Sequence, residues 1–186
     1  MKIKYLFLAI FVLFITRTAT AQEPAKSADL ILSDAYKQAA KEKKKVFVIF
    51  HASWCGWCHK MDDAMNDASC KQLFADNYVI CHLVVLESDK NKNLENPGAM
   101  DLLKKYHGDK QGIPFWLVLN KEGKLLADSQ IRPAGASLDT MGENIGCPAK
   151  KEEVDAFLKV LKSTSSLSDT QLATIGKRFE RINAAH

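Results

Sequence analysis

An uninterrupted apolar run at residues 46–50, Val-Phe-Val-Ile-Phe, most constrains how this chain can fold. β-branched and aromatic side chains favour strands, and a strand with no polar alternation is buried on both faces. Such strands lie inside parallel or mixed sheets that helices cover on each side. The run therefore predicts an α/β fold with this strand near the centre of the sheet.

The rest of the chain supplies the other elements of that fold. Residues 78–86 and 115–119 are also typical of strands, and a tight Asn-Lys-Glu-Gly turn joins the latter to a strand at 124–128. Strands separated by helices pair in parallel, whereas strands joined by a tight turn pair antiparallel. We expect a central mixed β-sheet flanked by helices on both faces. The helices are predicted at residues 34–44 (capped by Ser33), 55–66, 70–74, 99–106 and 151–162.

A last helix is predicted beyond a short polar linker. Ser168 to Gln171 matches a capping box, and apolar residues follow at helical spacing. The helix could bind a partner, but we expect it to pack on its own domain.

The predicted organisation is a signal peptide at 1–21, one domain at 22–162, and a linker with a C-terminal helix at 163–186.

The first 21 residues have the pattern of a signal peptide. Lys2 and Lys4 precede an uncharged apolar run at 5–15, and Ala19 and Ala21 occupy the small-residue positions of a cleavage site. Eleven residues are too few to span a bilayer comfortably, since spanning takes about 20. We expect cleavage before residue 22 and export of the mature chain; an uncleaved anchor is the alternative.

Charge and cysteine content narrow the function classes. The chain carries a net charge of +4, and removal of the leader, which holds three cations and no acid, lowers it to +1. This balance does not favour nucleic acid as a partner. Five cysteines are too few for a disulfide scaffold, and their odd number leaves at least one thiol unpaired within the chain.

Two of the cysteines, Cys55 and Cys58, follow the first strand directly and open a helix. A thiol at a helix N-terminus has a lowered pKa, and the thiolate is the form that attacks a disulfide. The second thiol, one helical turn away, can then attack the mixed disulfide and release the product. The spacing therefore predicts thiol–disulfide exchange.

Two other chemistries use the same residue types. Cys55, Cys58 and His59 form the attachment motif of a c-type haem, with His59 as axial ligand. The preceding strand and the α/β pattern argue against that interpretation. A zinc site needs four ligands, and the sequence has no second Cys-x-x-Cys pair or paired histidines.

A second motif, Gly112-Ile113-Pro114, precedes the third strand. A strand, Trp-Cys-Gly-Trp-Cys at a helix start, and Gly-Ile-Pro before a later strand together resemble the thioredoxin superfamily, over about residues 30–162. The resemblance implies that Cys55 is the exposed nucleophile, Cys58 the buried resolving cysteine and Pro114 a cis-proline facing them. It also implies that the substrate is held by Trp54, Gly56, Trp57, the backbone of Ile113, and Pro114.

The chain departs from the family pattern at two positions. Trp57 stands where thioredoxins usually have proline, and Ile49 stands where they carry a buried acid. A proton acceptor for Cys58 must then come from Glu87, His59 or water, or be missing.

The three further cysteines are expected to lie outside the redox pair. Cys81 lies in a strand and is expected to be a buried, inert thiol, whereas Cys70 and Cys147 could pair with each other.

The resemblance, which is strongest to exported bacterial thioredoxin-like proteins, implies a periplasmic thiol–disulfide oxidoreductase without a bound cofactor. Its partners would be proteins with disulfides or thiols and a redox partner that recycles the pair. It would meet a membrane only through its signal segment. The direction of electron flow stays open. A binding or chaperone module that holds extended chains is the alternative function.

Overall fold

The computed structural model describes residues 24–184, so the predicted signal peptide lies outside the described residues. Within that range no helix has the length and apolar content needed to cross a bilayer. The helices are α1 (Ala28–Glu42), α2 (Gly56–Met65), α3 (Lys71–Asn77), α4 (Ala99–Lys105), α5 (Lys151–Thr164) and α6 (Asp169–Ala184), with a 3-10 helix at Asp89–Leu94. The strands are β1 (Lys45–His51), β2 (Tyr78–Val84), β3 (Phe115–Leu119), β4 (Leu125–Asp128), β5 (Gln130–Ile131) and β6 (Glu143–Asn144).

Four strands form the mixed sheet that the sequence predicts, in the order β2-β1-β3-β4. β1 pairs in parallel with β2 and antiparallel with β3, and β3 pairs antiparallel with β4. The register places Phe50 opposite Phe115 and Ile49 opposite Trp116. The chain that leaves the end of β1 therefore lies beside the chain that enters β3, and this brings the two predicted motifs together.

Helices cover both faces of the sheet, as expected. Alternate residues of β1 point to opposite sides, because successive strand side chains alternate. Phe47 and Ile49 join a core with α2, α3, α5 and α6, whereas Val46, Val48 and Phe50 join a core with α1 and α4. The uniform apolar run at 46–50 is thus explained by burial on both faces.

The first helix starts earlier than the sequence predicts. α1 begins at Ala28, and Ser27 rather than Ser33 caps it by accepting a hydrogen bond from the backbone N–H of Leu30 at 3.3 Å. The buried stripe runs through Ala28 and Leu32 before it reaches the predicted start. Packing against the sheet extends the helix through a serine that could also have capped it.

The C-terminal helix packs on its own chain. α6 contributes Leu172, Ile175, Phe179 and Ile182 to the same core as α2, α3 and α5. The rings of Phe179 and Phe157 lie 5.0 Å apart. This confirms the expectation that the last helix packs on its own domain. α5 extends to Thr164, two residues beyond its predicted end.

Candidate active site

The two motif cysteines lie at the N-terminus of α2 and are bonded to each other. Cys55 is the N-cap of the helix, and its Sγ accepts a hydrogen bond from the backbone N–H of Cys58 at 3.2 Å. The sulfurs of Cys55 and Cys58 are 2.07 Å apart, so the described state is the oxidised one. A sulfur at this position faces unpaired helix N–H groups, which favour negative charge.

The structure corrects one expectation about this pair. Cys58 is buried as predicted, with 1% of its surface exposed, but Cys55 is also buried, at 3%. Cys55 packs with Ala52 and Ile113 in a small apolar cluster. The two tryptophans that flank the pair are the exposed apolar side chains at the site, with 59% (Trp54) and 46% (Trp57) of their surface exposed.

The second motif faces the disulfide. The Ile113–Pro114 peptide bond is cis, as the resemblance implied for Pro114. The carbonyl oxygen of Ile113 lies 3.5 Å from Cys55 Sγ. A disulfide sulfur has no proton to donate, so this is a close contact; a protonated Cys55 thiol could donate a weak hydrogen bond there. We call residues 111–114 the cis-proline loop.

Glu87, one of the candidate proton acceptors for Cys58, binds the turn that precedes Cys55. Its carboxylate accepts hydrogen bonds from the backbone N–H of Ser53 at 2.5 Å and from Ser53 Oγ at 2.8 Å. Burial opposes ionisation, but these hydrogen bonds outweigh it and lower the pKa of Glu87. The carboxylate therefore fixes the turn before Cys55, and none of its described hydrogen bonds goes to Cys58.

Histidines surround the same end of the sheet. Burial and the neighbouring His82 lower the pKa of His51, which favours a neutral ring. The His51 and His82 rings lie 5.0 Å apart, and His82 Nε2 lies 2.8 Å from Asp62 Oδ1. His59 Nε2 lies 3.0 Å from the carbonyl oxygen of Ser53, an arrangement that ties α2 to the preceding turn.

The environment of the motif does not fit a covalent haem. Cys58 is enclosed by protein, and Nε2 of His59, the atom that would ligate iron, already contacts the Ser53 carbonyl. The zinc alternative needs a cluster of ligands, and residues 24–184 contain no group of three or more His, Cys, Asp or Glu side chains arranged to hold a metal ion.

The other three cysteines are free thiols. Cys70 is fully buried and Cys147 is 6% exposed, while Cys81 is only half-buried, less enclosed than expected. Burial raises the pKa of Cys70, and it raises the pKa of Cys81 and of Cys147 to about 12. All three are held in the unreactive thiol form.

A cleft of about 350 Å³ lies beside the cis-proline loop. Its lining includes Trp57, Ile113 and Pro114 together with residues 144–147, among them Cys147. The segment 144–147 is absent from the sequence-based site, because a two-residue strand in an irregular stretch gives no periodic signal.

The comparisons with known proteins agree with this fold. The model of the thioredoxin-like family matches residues 29–121, half of the chain. The search of curated proteins found no match to the chain. A Cys-x-x-Cys pair at disulfide distance in this fold is consistent with a thiol–disulfide oxidoreductase.

Several solved structures are similar. A disulphide isomerase from Xylella fastidiosa Temecula1 is 19% identical, with 88% of this chain and 95% of that one covered and a TM-score of 0.47. The oxidised C-terminal domain of DsbD from Neisseria meningitidis is 19% identical, with 75% and 98% covered and a TM-score of 0.42. Thioredoxin NaTrxh from Nicotiana alata is 20% identical, with 78% and 99% covered and a TM-score of 0.40. With its matched residues and its mixed sheet, the chain belongs to the thioredoxin-like family.

Proposed function

We propose that this chain is a thiol–disulfide oxidoreductase of protein substrates, with Cys55 as nucleophile and Cys58 as resolving cysteine. The observation that carries the proposal is the disulfide-bonded pair at the start of α2, directly facing the Ile113–Pro114 cis peptide. The exposed tryptophans offer an apolar surface to a protein chain, and the cis-proline loop offers backbone groups to an extended segment.

In the reducing direction, the Cys55 thiolate attacks one sulfur of a substrate disulfide. The substrate S–S bond breaks, a Cys55–substrate bond forms, and the departing substrate thiolate takes a proton from water. The backbone N–H of Cys58, 3.2 Å from Cys55 Sγ in the oxidised state, supports negative charge on that sulfur. The helix N-terminus acts in the same sense.

Cys58 completes the exchange. Its thiolate attacks Cys55 Sγ, the mixed disulfide breaks, and the second substrate sulfur leaves as a thiol after protonation. Two electrons have then passed from the cysteine pair to the substrate. The reverse sequence oxidises a substrate dithiol, and the reduction potential of the pair relative to its partner determines the direction.

We further propose that the protein is exported to the periplasm, where a second redox protein recycles the pair. The leader-like pattern at residues 1–21 supports export, and an oxidising compartment supplies disulfide-containing clients. Measuring the reduction potential of the pair in glutathione buffers would assign the direction: a value near −270 mV indicates a reductase, and one near −120 mV indicates an oxidase.

The mechanism is tested by trapping. Cys58→Ser removes the resolving thiol, so we expect a stable mixed disulfide between Cys55 and a disulfide-containing peptide, detected by mass spectrometry. Cys55→Ser should form no adduct and lose exchange. Cys81→Ser, at a thiol outside the site, is the matched control and should exchange at the wild-type rate. Full exchange by the Cys55→Ser protein would overturn the mechanism.

A second candidate function is the binding of extended chains on the same surface, without thiol–disulfide exchange. Trp54 and Trp57 are exposed enough to hold an extended chain, as a binding or chaperone module would. A protein lacking both Cys55 and Cys58 separates the two functions. Full rescue of a deletion strain by this protein would favour binding, and loss of rescue would favour exchange.

A further inference from the structure

We propose that Asn144 is a positioning residue for substrate, which acts by fixing the cis-proline loop against the disulfide. The proposal rests on the proposed function, because it concerns how that site holds a peptide. Asn144 lies in β6, outside both sequence motifs.

The side-chain amide of Asn144 contacts three backbone carbonyls of the cis-proline loop. Asn144 Nδ2 lies 3.2 Å from each of three backbone oxygens, those of Gln111, Gly112 and Pro114. Two of these belong to the residues on either side of Ile113. The amide thus contacts the carbonyls of the residues before and after Ile113, the residue whose own carbonyl contacts Cys55 Sγ.

The orientation of the amide is determined by its other atom. Asn144 Oδ1 accepts a hydrogen bond from the backbone N–H of Gly146 at 3.0 Å, so the NH₂ group must face the loop. Asparagine supplies both a donor and an acceptor at this length. Aspartate would present only acceptors to three carbonyl oxygens, and an alkyl side chain would leave the carbonyls without that donor.

Asn144 is itself held in place by the surrounding polar network. Its backbone N–H donates to Gln111 Oε1 at 2.9 Å, and Gln111 Nε2 donates to Gln130 Oε1 at 2.9 Å. Gln130 and Asn144 are paired residues of β5 and β6. The small β5–β6 sheet is therefore hydrogen-bonded to the loop, and Asn144 is its contact with the backbone around Ile113.

This arrangement predicts a selective defect. An extended peptide that binds the backbone at Ile113 depends on the position of the loop, whereas a small aromatic disulfide reaches Cys55 without using that backbone. Releasing the loop should therefore weaken peptide binding more than it slows the chemistry of the thiol.

The test compares Asn144→Asp and Asn144→Ala with the wild type on two substrates. With a disulfide-containing peptide we expect KM to rise at least tenfold and kcat to change less than threefold. With a small aromatic disulfide we expect the rate to stay within threefold of the wild type. All assays are made at a temperature at which circular dichroism shows each variant to be folded. The alanine variant tests the loss of the amide donor without adding a charge.

Asn77→Asp is the matched control. Asn77 also bridges backbone groups, donating to the Leu73 carbonyl and accepting from the Ser166 N–H at 2.9 Å each, but it lies at the end of α3. It should lower stability without raising KM for the peptide.

The outcomes separate the two proposals. If the wild-type protein exchanges neither substrate, the proposed function fails. If the wild type is active and both Asn144 variants keep its KM for the peptide, or lose activity equally on both substrates, the positioning role is wrong.

Discussion

The buried ion pair between Asp128 and Arg132 offers a quantitative test of the structure around the site. Their side chains are 1% and 7% exposed. The guanidinium binds the carboxylate through two contacts, of 2.7 Å and 2.6 Å, in the paired geometry that arginine and carboxylates favour. Asp128 also accepts hydrogen bonds from the backbone and side chain of Gln130, so the pair supports the network behind the cis-proline loop.

Replacing Asp128 with alanine leaves the Arg132 guanidinium enclosed without its counter-charge. Removing one partner of a buried pair costs about 3–5 kcal/mol, because the remaining charge stays desolvated. Removing both partners avoids that penalty. We therefore expect Asp128→Ala to lower the free energy of unfolding by about 3–5 kcal/mol, and the double variant with Arg132→Ala to lose about 1–3 kcal/mol less than the sum of the single variants.

Urea denaturation of the wild type, Asp128→Ala, Arg132→Ala and the double variant measures the free energy of unfolding of each protein. Asp169→Ala is the control, since Asp169 pairs with Lys162 at 2.7 Å but both side chains are well exposed, and its loss should cost less than about 1 kcal/mol. The reasoning is refuted if Asp128→Ala costs no more than Asp169→Ala. Additive effects of the two buried substitutions would refute it as well.

Two further predictions concern stability away from the site. Phe179→Ala should lower the free energy of unfolding by about 3–5 kcal/mol in denaturation experiments, because the ring is fully buried. Glu180→Ala, at the neighbouring exposed residue, should have little effect. Equal effects of the two substitutions would contradict the packing of α6. Hydrogen bonds from Ser69 lower the pKa of Asp67 to about 2, so the stability that Asp67 contributes is complete above its ordinary pKa of 3.8 and is lost as the pH falls toward 2. The stability deficit of Asp67→Asn should therefore shrink between pH 4 and pH 2 in urea titrations, and a deficit independent of pH would contradict this assignment.

The central part of the fold was predictable because its signals are local. The apolar run at 46–50 determines a strand buried on both faces, and the cysteine pair marks the helix that follows. The start of α1 was predicted six residues late, since Ser27 and Ser33 are equally good caps and only the packing of Ala28 and Leu32 distinguishes them.

The support of the site was not predictable for a different reason. Asn144 is a single polar residue in an irregular stretch, and its role depends on three carbonyl oxygens that lie about thirty positions earlier in the chain. No spacing rule connects such residues. The burial of Cys55 was also missed, because it depends in part on Ile113, which is distant in sequence and packs against Cys55, Ala52 and Cys58.

The free thiol of Cys147 has a consequence for the selectivity of exchange. It lines the same cleft as Trp57 and Pro114, so a third sulfur lies close to the route of an incoming disulfide. Burial raises the pKa of Cys147 to about 12, so this sulfur stays a thiol at neutral pH. Protonation of Cys147 therefore limits its competition with the proposed catalytic pair, so that exchange can use two sulfurs although a third lines the same cleft.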